Sequence, residues 1–442
     1  MRLVVLVLAS VLRRGLRIAA FAAALVAGFA LLAAADWPHW RGANRNDIVD
    51  ERSGWKDGAW PIGKPLWRAN VGEGSSSPLV VDGRVYALGH RANQEVIACF
   101  DAASGRTIWS KSYPAPRYGR VATGDEGFYS GPSSTPEFDP ATGYLYTLGI
   151  DGDLRCWNAR DEGAEVWKLN LYEAFAAPQR PRVGRSGRRD YGYTSSPLVH
   201  GEWLIVEVGD KAGNLIALDK RTGKQAWASE SKSPAGHNGG PTPLVVEGVP
   251  CVAVHNFDGL LVVRLDEGRE GRTVATHEWR TSFANNIASP AVFENNVVIT
   301  SSYNHHKIAR FRISLDKGAE KVWETREASK VCSPVIYKDS VYWVWEKCYC
   351  LDFETGTVRW SGGNFGDPGS LVATSDERLI AWTDKGDLSL IETAARSPDK
   401  YVQLASHKRI ADADAWPHVV LAGGRLYCKV RTGEIACFGV GR

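Results

Sequence analysis

One phrase, restated with variations along the chain, constrains the fold more than any single residue does. It begins with Ser/Thr-Pro and a β-rich run, passes through a hairpin to an Asp-x-x-Thr-Gly turn, and ends on a Trp. The first copy reads Ser77-Pro78-Leu79-Val80-Val81, Val85-Tyr86-Ala87-Leu88, Val96-Ile97-Ala98-Cys99-Phe100-Asp101, Gly105 and Trp109. It restarts at Pro136, Pro197, Pro243, Pro290 and Pro334, with weaker copies at Ser370, which replaces the Pro, and at Pro417. The spacings are 58, 61, 46, 47, 44, 36 and 47 residues. Four short β-runs per unit at periods in the forties predict a β-propeller blade, not a solenoid of helices.

The recurring Trp falls at 109, 167, 227, 279, 323 and 360, each expected to mark an outermost, fourth strand. Trp67 precedes Pro78 by 11 residues, as Trp279 precedes Pro290 and Trp323 precedes Pro334, so it reads as one more outer strand with no earlier blade to complete. The last copy supplies only three strands. The N-terminal strand therefore supplies its fourth, which closes the ring and removes a free sheet edge. Tyr401-Val402-Gln403-Leu404 is the candidate outer strand of blade 7, which lacks the Trp. The expected fold is all-β, an eight-bladed propeller of four-stranded antiparallel blades; seven blades is the alternative.

Most of the repeated residues have structural reasons. In Asp219-Lys220-Arg221-Thr222-Gly223 and Asp352-Phe353-Glu354-Thr355-Gly356 the Asp caps backbone N–H groups and the Gly takes positive φ. Asp151-Gly152 and Asp258-Gly259 signal hairpins between second and third strands. Cys99, Cys156, Cys350 and Cys437 share one position, two before the Asp slot, where blade 3 has Ala217. A small buried side chain explains them, and equivalent sites in different blades lie too far apart to bond. One pair is a candidate disulfide, with two free thiols as the alternative: a turn at Thr432-Gly433 would set Cys428 opposite Cys437.

Residues 1–35 carry Arg13, Arg14 and Arg17 before an apolar run that ends in Ala33-Ala34-Ala35, the pattern of a secretory signal cleaved after Ala35. An uncleaved anchor is the alternative, and would be the one membrane contact. The segment holds four Arg and no acid, so the formal charge of +3 falls to −1 without it. A nucleic-acid partner then loses its electrostatic support. The expected organisation is a signal (1–35), a Trp-rich arm (36–62) that packs over the ring, and a propeller (63–442), exported to the periplasm or cell envelope and monomeric.

In a propeller the loops leading into the innermost strands share one face with the second-to-third-strand hairpins, around a central channel. Those segments nominate Glu73, Ser76, Tyr129, Tyr193, His237, Asn238, Asn285, Asn286, Lys330, Asp367, Asp414 and Trp416 as a funnel able to take a small ligand or peptide. Two insertions at blade borders emerge on the same face, one with Arg117 and Arg120. The other carries Arg180, Arg182, Arg185, Arg188 and Arg189, a candidate docking site for an acidic partner. His237, His255, His305 and His306 gather in face loops without metal-ligand spacing, so no metal site is assigned. No nucleophile elbow, phosphate loop or paired-carboxylate motif is found, and no catalytic residue is assigned.

The stretch Ala217-Leu218-Asp219-Lys220-Arg221-Thr222-Gly223-Lys224-Gln225-Ala226-Trp227 resembles the repeat of pyrroloquinoline quinone (PQQ) enzymes, and Trp37-Pro38-His39-Trp40-Arg41-Gly42 is similar to the start of many exported PQQ-like propellers. The resemblance covers residues 36–440 and implies the fold. It leaves two functions open: quinoprotein alcohol dehydrogenases, and BamB-like proteins whose propeller is a protein-binding platform. The dehydrogenases resemble one another in a vicinal Cys pair over the cofactor. Here Cys348-Tyr349-Cys350 is the nearest approach, so PQQ with a divalent cation is not required. The expectation is a binding or scaffolding module with an envelope protein or peptide partner; a PQQ-dependent oxidoreductase and a polysaccharide-binding or -processing accessory are the alternatives.

Overall fold

Runs of Val, Ile, Leu and Tyr become strands buried on both faces, as the packing of one blade against the next requires. The computed structural model describes residues 36–118, 130–177, 192–282 and 285–441. They form eight four-stranded antiparallel sheets, each ordered from an innermost first strand to an outer fourth one. Blade 1 comprises Leu79–Val81, Arg84–Arg91, Gln94–Asp101 and Thr107–Pro114. Blade 8 comprises Val420–Ala422, Arg425–Lys429 and Glu434–Gly439, completed by the N-terminal strand Trp67–Asn70, with Trp67 paired to Cys437. The ring closes as the sequence predicts, and the seven-bladed alternative is excluded.

One row of paired residues crosses every blade and sets a common register. In blade 1 it runs Leu79–Tyr86–Cys99–Trp109, and in blade 8 Val420–Tyr427–Cys437–Trp67. Cys156, Ala217 and Cys350 occupy the third place of the row, opposite Trp167, Trp227 and Trp360, so the shared cysteine position is a packing slot beneath the Trp. Four of these rings cover the turn glycine of the following blade: Trp67 over Gly105, Trp109 over Gly163, Trp167 over Gly223 and Trp323 over Gly356. A Cβ on Gly105, at φ 69°, would sit 2.6 Å from the Trp67 ring, so the glycine serves both the turn and the contact. The indole N–H groups of Trp67, Trp167 and Trp323 donate to the carbonyls of Ala102, Lys220 and Phe353.

The row corrects several sequence alignments. In blade 4 it runs Thr242–Ala253–Val262–Ala275, so Ala275 holds the Trp place and Trp279 lies beyond the strand end. The structural Pro of that blade is Pro241 rather than Pro243. In blade 7 the row is Val372–Ile380–Leu390–Ala405, so Ser370 keeps the Ser place and Leu371 replaces the Pro. The outer strand there is Gln403–His407; Tyr401 instead packs on Trp360 and Gly362. In blade 8 the Ser place is taken by His418, two residues before Val420. The candidate disulfide is also absent. Cys428 pairs with Ala436 and Cys437 with Tyr427, so the two thiols point to opposite faces of the sheet, and both are free.

The Trp-rich arm packs over the ring, where Glu51 accepts from the Gly423 and Gly424 N–H groups and Ser53 bonds Asp376, and its first half also enters the channel. Trp37 exchanges backbone hydrogen bonds with Val80 at 2.7 and 3.1 Å, the Phe138 N–H donates to Pro38, and Ala373 bonds with Asp47 and Val49. Arg41 and Asp47 pair at 2.5 Å while fully buried, and Arg41 also donates to the carbonyls of Pro290 and Pro334. Arg45 grips Glu137 with both guanidinium nitrogens, and His39 stands 3.1 Å from the same carboxylate. Burial alone would raise the Glu137 and Asp47 carboxyls, yet these cations hold both below the usual range. The arm thus seals the narrow end of the channel by contacting the innermost strands of five blades.

Candidate functional site

The Ser or Thr before the repeat Pro builds the neck of the channel. The Ser77 N–H donates to Thr135 Oγ1, that of Thr135 to Ser196 Oγ and that of Ser289 to Ser333 Oγ, each at 3.0 Å, while the His418 N–H donates to Ser77 Oγ at 2.8 Å. These bonds tie blade to blade and use the hydroxyls as scaffold. His418, the one large side chain in this ring, stacks on Trp40 of the arm at 4.2 Å between ring centroids, and the two floor a cavity above the neck.

The cavity is a blind funnel of about 840 Å³ including its open mouth. Its wall is a single layer of the repeat, four residues before the row: Ser75, Ser133, Thr194, Asn238, Ile287, Val331 and Trp416. Blades 1 to 4 therefore contribute hydroxyls and an amide. Blades 5, 6 and 8 contribute Ile, Val and Trp, joined by Tyr303. No Asp, Glu, Lys or Arg is among these lining residues. Asn238 is fully buried; its Nδ2 donates to Glu207 at 2.7 Å, while its Oδ1 has no hydrogen-bond partner.

A second layer fixes the rim. The upper end of the second strand, two residues past the row, is apolar in Leu88, Leu148 and Val344 but holds Glu207, His255, Thr300 and Lys429 in blades 3, 4, 5 and 8. Glu207, Thr300 and Lys429 each hold the loop leading into the following blade. Glu207 accepts from the Gly236 N–H and from Asn238; Thr300 Oγ1 accepts from the Ser329 N–H at 2.9 Å. Lys429 Nζ donates to the carbonyls of Gly74 and Ser76 at 2.7 and 2.9 Å. Burial pushes the Lys429 ammonium down to about 7 and the His255 imidazole down to about 3. In blade 1, Glu95 accepts from the Ile150 N–H and from Tyr113, and burial pushes it up to about 7.

Of the twelve funnel candidates, His237, Asn238 and Trp416 line the cavity. Several others miss it by one residue, because adjacent residues of an extended segment face opposite ways. Ser76 is buried while Ser75 lines the wall; Tyr193 packs at 5.0 Å from Tyr172 while Thr194 lines it; Asn286 staples the carbonyls of Asn256 and Trp279 while Ile287 lines it. Asn285 is buried beside it. The charged candidates are committed to ion pairs at the rim. Glu73 takes a two-pronged bond from Arg117, Lys330 pairs with Asp367, and Asp414 pairs with Lys385 and Arg431. Asp367 also accepts from Trp345 at 3.0 Å. Tyr129 and the arginines 180, 182, 185, 188 and 189 lie outside the described residues, as does Arg120. Sequence reading missed Trp40, His418 and the second-strand layer; the signal for that layer was a polar residue inside an otherwise apolar strand.

The face histidines sit against aromatic rings: His305 on Trp279 at 5.4 Å and His306 against Trp345 at 5.5 Å. Among the described residues no group of three or more His, Cys, Asp or Glu could hold a metal ion. PQQ, a flat quinone bearing carboxylates and held with a divalent cation, needs cationic or amide donors and oxygen ligands around it. The described funnel wall carries one amide, whose N–H is spent on Glu207, and no charged group. Cys348 and Cys350 are both buried in the third strand of blade 6, away from the wall. These residues do not fit the cofactor.

A closed ring of eight such blades with a Trp column on the outer strands defines a PQQ-repeat β-propeller protein. Within that class the chain belongs to the family of the outer membrane protein assembly factor BamB, which matches residues 60–123 and 92–362. It is similar to the dehydrogenase subunit of a quinone alcohol dehydrogenase from Gluconacetobacter polyoxogenes, 27% identical over 49% of this chain and 30% of that protein. It is also similar to BamB of Bordetella pertussis, 25% identical over 43% of this chain and 51% of that protein. The aligned part thus spans 30% and 51% of these relatives' lengths. Among solved structures, BamB from Moraxella catarrhalis superposes with a TM-score of 0.58 at 13% identity, covering 86% of this chain and 99% of that one. The quinohemoprotein alcohol dehydrogenase from Comamonas testosteroni superposes at 0.60 and 13%, covering 92% and 81%. At such identity these two likenesses speak for the fold.

Proposed function

We propose that the protein is an exported binding module whose funnel face docks an envelope protein or peptide partner. The carrying observation is the construction of that face. Its lead-in loops are held from below by buried Glu207, Thr300 and Lys429, so the rim is a preformed surface around a blind cavity. A preorganised surface loses little conformational entropy on docking. The wall offers hydrogen-bonding and apolar contacts but no charged or nucleophilic constellation, which favours binding over oxidation. The BamB family match supports the same reading, and the signal-like residues 1–35 support export. The arginine-bearing insertion at 179–189 would add an acidic preference to the partner.

Site-specific photo-crosslinking in the native envelope tests this. A crosslinker at exposed Ala92, in a funnel-face hairpin, is expected to capture one partner. The same group at exposed Lys224, in a turn on the opposite face, is expected to capture none. Adducts of equal yield from both positions, or only from Lys224, would overturn the reading.

A further inference from the structure

The funnel wall is divided by chemistry, and the division names a ligand class. Going round the ring, blades 1 to 4 present Ser75, Ser133, Thr194 and Asn238 at one height, and blades 5, 6 and 8 present Ile287, Val331 and Trp416 at the same height. One half of the wall exchanges hydrogen bonds and the other offers apolar and aromatic surface. Repetition does not explain this, because the same layer of the same repeat carries different residues in the two halves.

Two further observations restrict what can fill the space. Asn238 cannot turn its amide, because Nδ2 is held by Glu207 at 2.7 Å, and its buried Oδ1 is left without a partner. Ser75, Ser133 and Thr194 add hydroxyls to the same side of the wall, so this half suits a ligand that brings O–H or N–H groups. Apart from the imidazoles of His237 and His418, the described wall holds no ionisable side chain that could act as a fixed cation, and Glu73, Lys330, Asp367 and Asp414 at the rim are already paired. A carboxylate or phosphate drawn into the funnel would lose its water without gaining a counter-ion, a net cost. The occupant is therefore uncharged, with donors along one edge and an apolar flat face on the other.

We infer that the funnel binds a neutral pyranose sugar, the exposed end or a loop of an uncharged glycan. Its hydroxyl edge faces Ser75, Ser133, Thr194 and Asn238, and its C–H face lies on the Trp416 side. Trp40 and His418 form the floor and stop the ligand from threading the channel. This goes beyond the docking reading: it uses the same face but assigns the cavity a ligand of its own.

The test uses the full chain and calorimetric titration with four probes: cellotetraose, maltotetraose, tetra-N-acetylchitotetraose and the anionic tetragalacturonate. At least one neutral probe is expected to bind saturably, and tetragalacturonate to bind at least about tenfold more weakly. Ser133→Val and Trp416→Ala, one from each half of the wall, are each expected to weaken the neutral sugar about tenfold, Ser133→Val while melting with the parent. Asn238→Leu should do the same, and because it also touches Glu207 it is read beside the other two. No saturable binding of any neutral probe up to about 10 mM would overturn the inference. So would tetragalacturonate binding as tightly as they do, or unchanged affinity in both wall variants. Crosslinks from Ala92 without sugar binding would remove this inference and leave the docking face standing; sugar binding without those crosslinks would do the reverse.

Discussion

The two ends of the central channel are built from the same repeat and have opposite chemistry. At the narrow end the arm brings in Arg41, Arg45 and Asp47, and buried charge meets buried charge until each principal partner is matched. At the mouth the wall is uncharged, and Asn238 Oδ1 has no partner within the protein. Paired buried charges hold a fold together, whereas a wall without fixed ion pairs around an open cavity leaves room for a ligand. The narrow end is therefore where substitution should cost stability, and the mouth is where it should cost binding.

The largest expected effect is at the narrow end. Arg45→Met leaves the buried Glu137 carboxylate without its guanidinium, a loss of about 3–5 kcal/mol in denaturant unfolding. Replacing Arg45 and Glu137 together by apolar residues should recover much of that loss, since the remaining uncompensated charge is what hurts. Equal losses for the single and double variants would show that packing, not charge, governs this end.

The rim layer gives a pH signature of intermediate size. The folded Lys429 pKa of about 7 lies below the unfolded value of 10.5, so between these the unfolded chain binds more protons and stability rises with pH. The same sign holds for His255 between about 3 and 6.5. Glu95 is opposite: its folded pKa of about 7 lies above 4.5, so its contribution is present below pH 4.5 and is lost as pH rises through about 7. Lys429→Met should flatten the alkaline rise by up to about 1.4 kcal/mol per pH unit, and Glu95→Gln should remove the decline between pH 4.5 and 7. Unchanged slopes in pH-dependent melting would contradict the burial of these groups.

At the mouth, Ser133→Val should change unfolding free energy by less than about 1 kcal/mol, because Ser133 lines the open cavity. The smallest effect is none at all: with all eight cysteines free, a reductant should leave the melting temperature unchanged.

The ring was legible because every blade restates it. Strand order, the Trp67 seam, the shared cysteine slot and the Asp turns all follow from repetition, and Asp219 does accept from the Thr222 N–H and hydroxyl. Where reading failed, the cause was register. Trp279 keeps the 11-residue distance to the next Pro, yet Ala275 holds its place in the row. Cys428 and Cys437 were displaced by one residue in the connection, which suffices to turn one side chain to the other face. The same one-residue parity separates Ser75 from Ser76 and Thr194 from Tyr193. The arm was illegible for another reason: its partners lie up to about three hundred residues away, and only the closed ring brings Pro290 and Pro334 to Arg41. The functional information lay in departures from the repeat, namely Glu207, Asn238, Trp416 and His418, rather than in the repeat itself.

The most direct measurement is equilibrium titration of the full chain with PQQ and Ca²⁺, followed by dye-linked oxidation of primary alcohols. The expected result is no saturable binding and no turnover, because the described funnel wall holds no Asp, Glu, Lys or Arg and the charges at the rim are committed to one another. Stoichiometric PQQ binding that depends on Ca²⁺ and sustains alcohol oxidation would contradict the division between a charged, structural end and an uncharged, binding one.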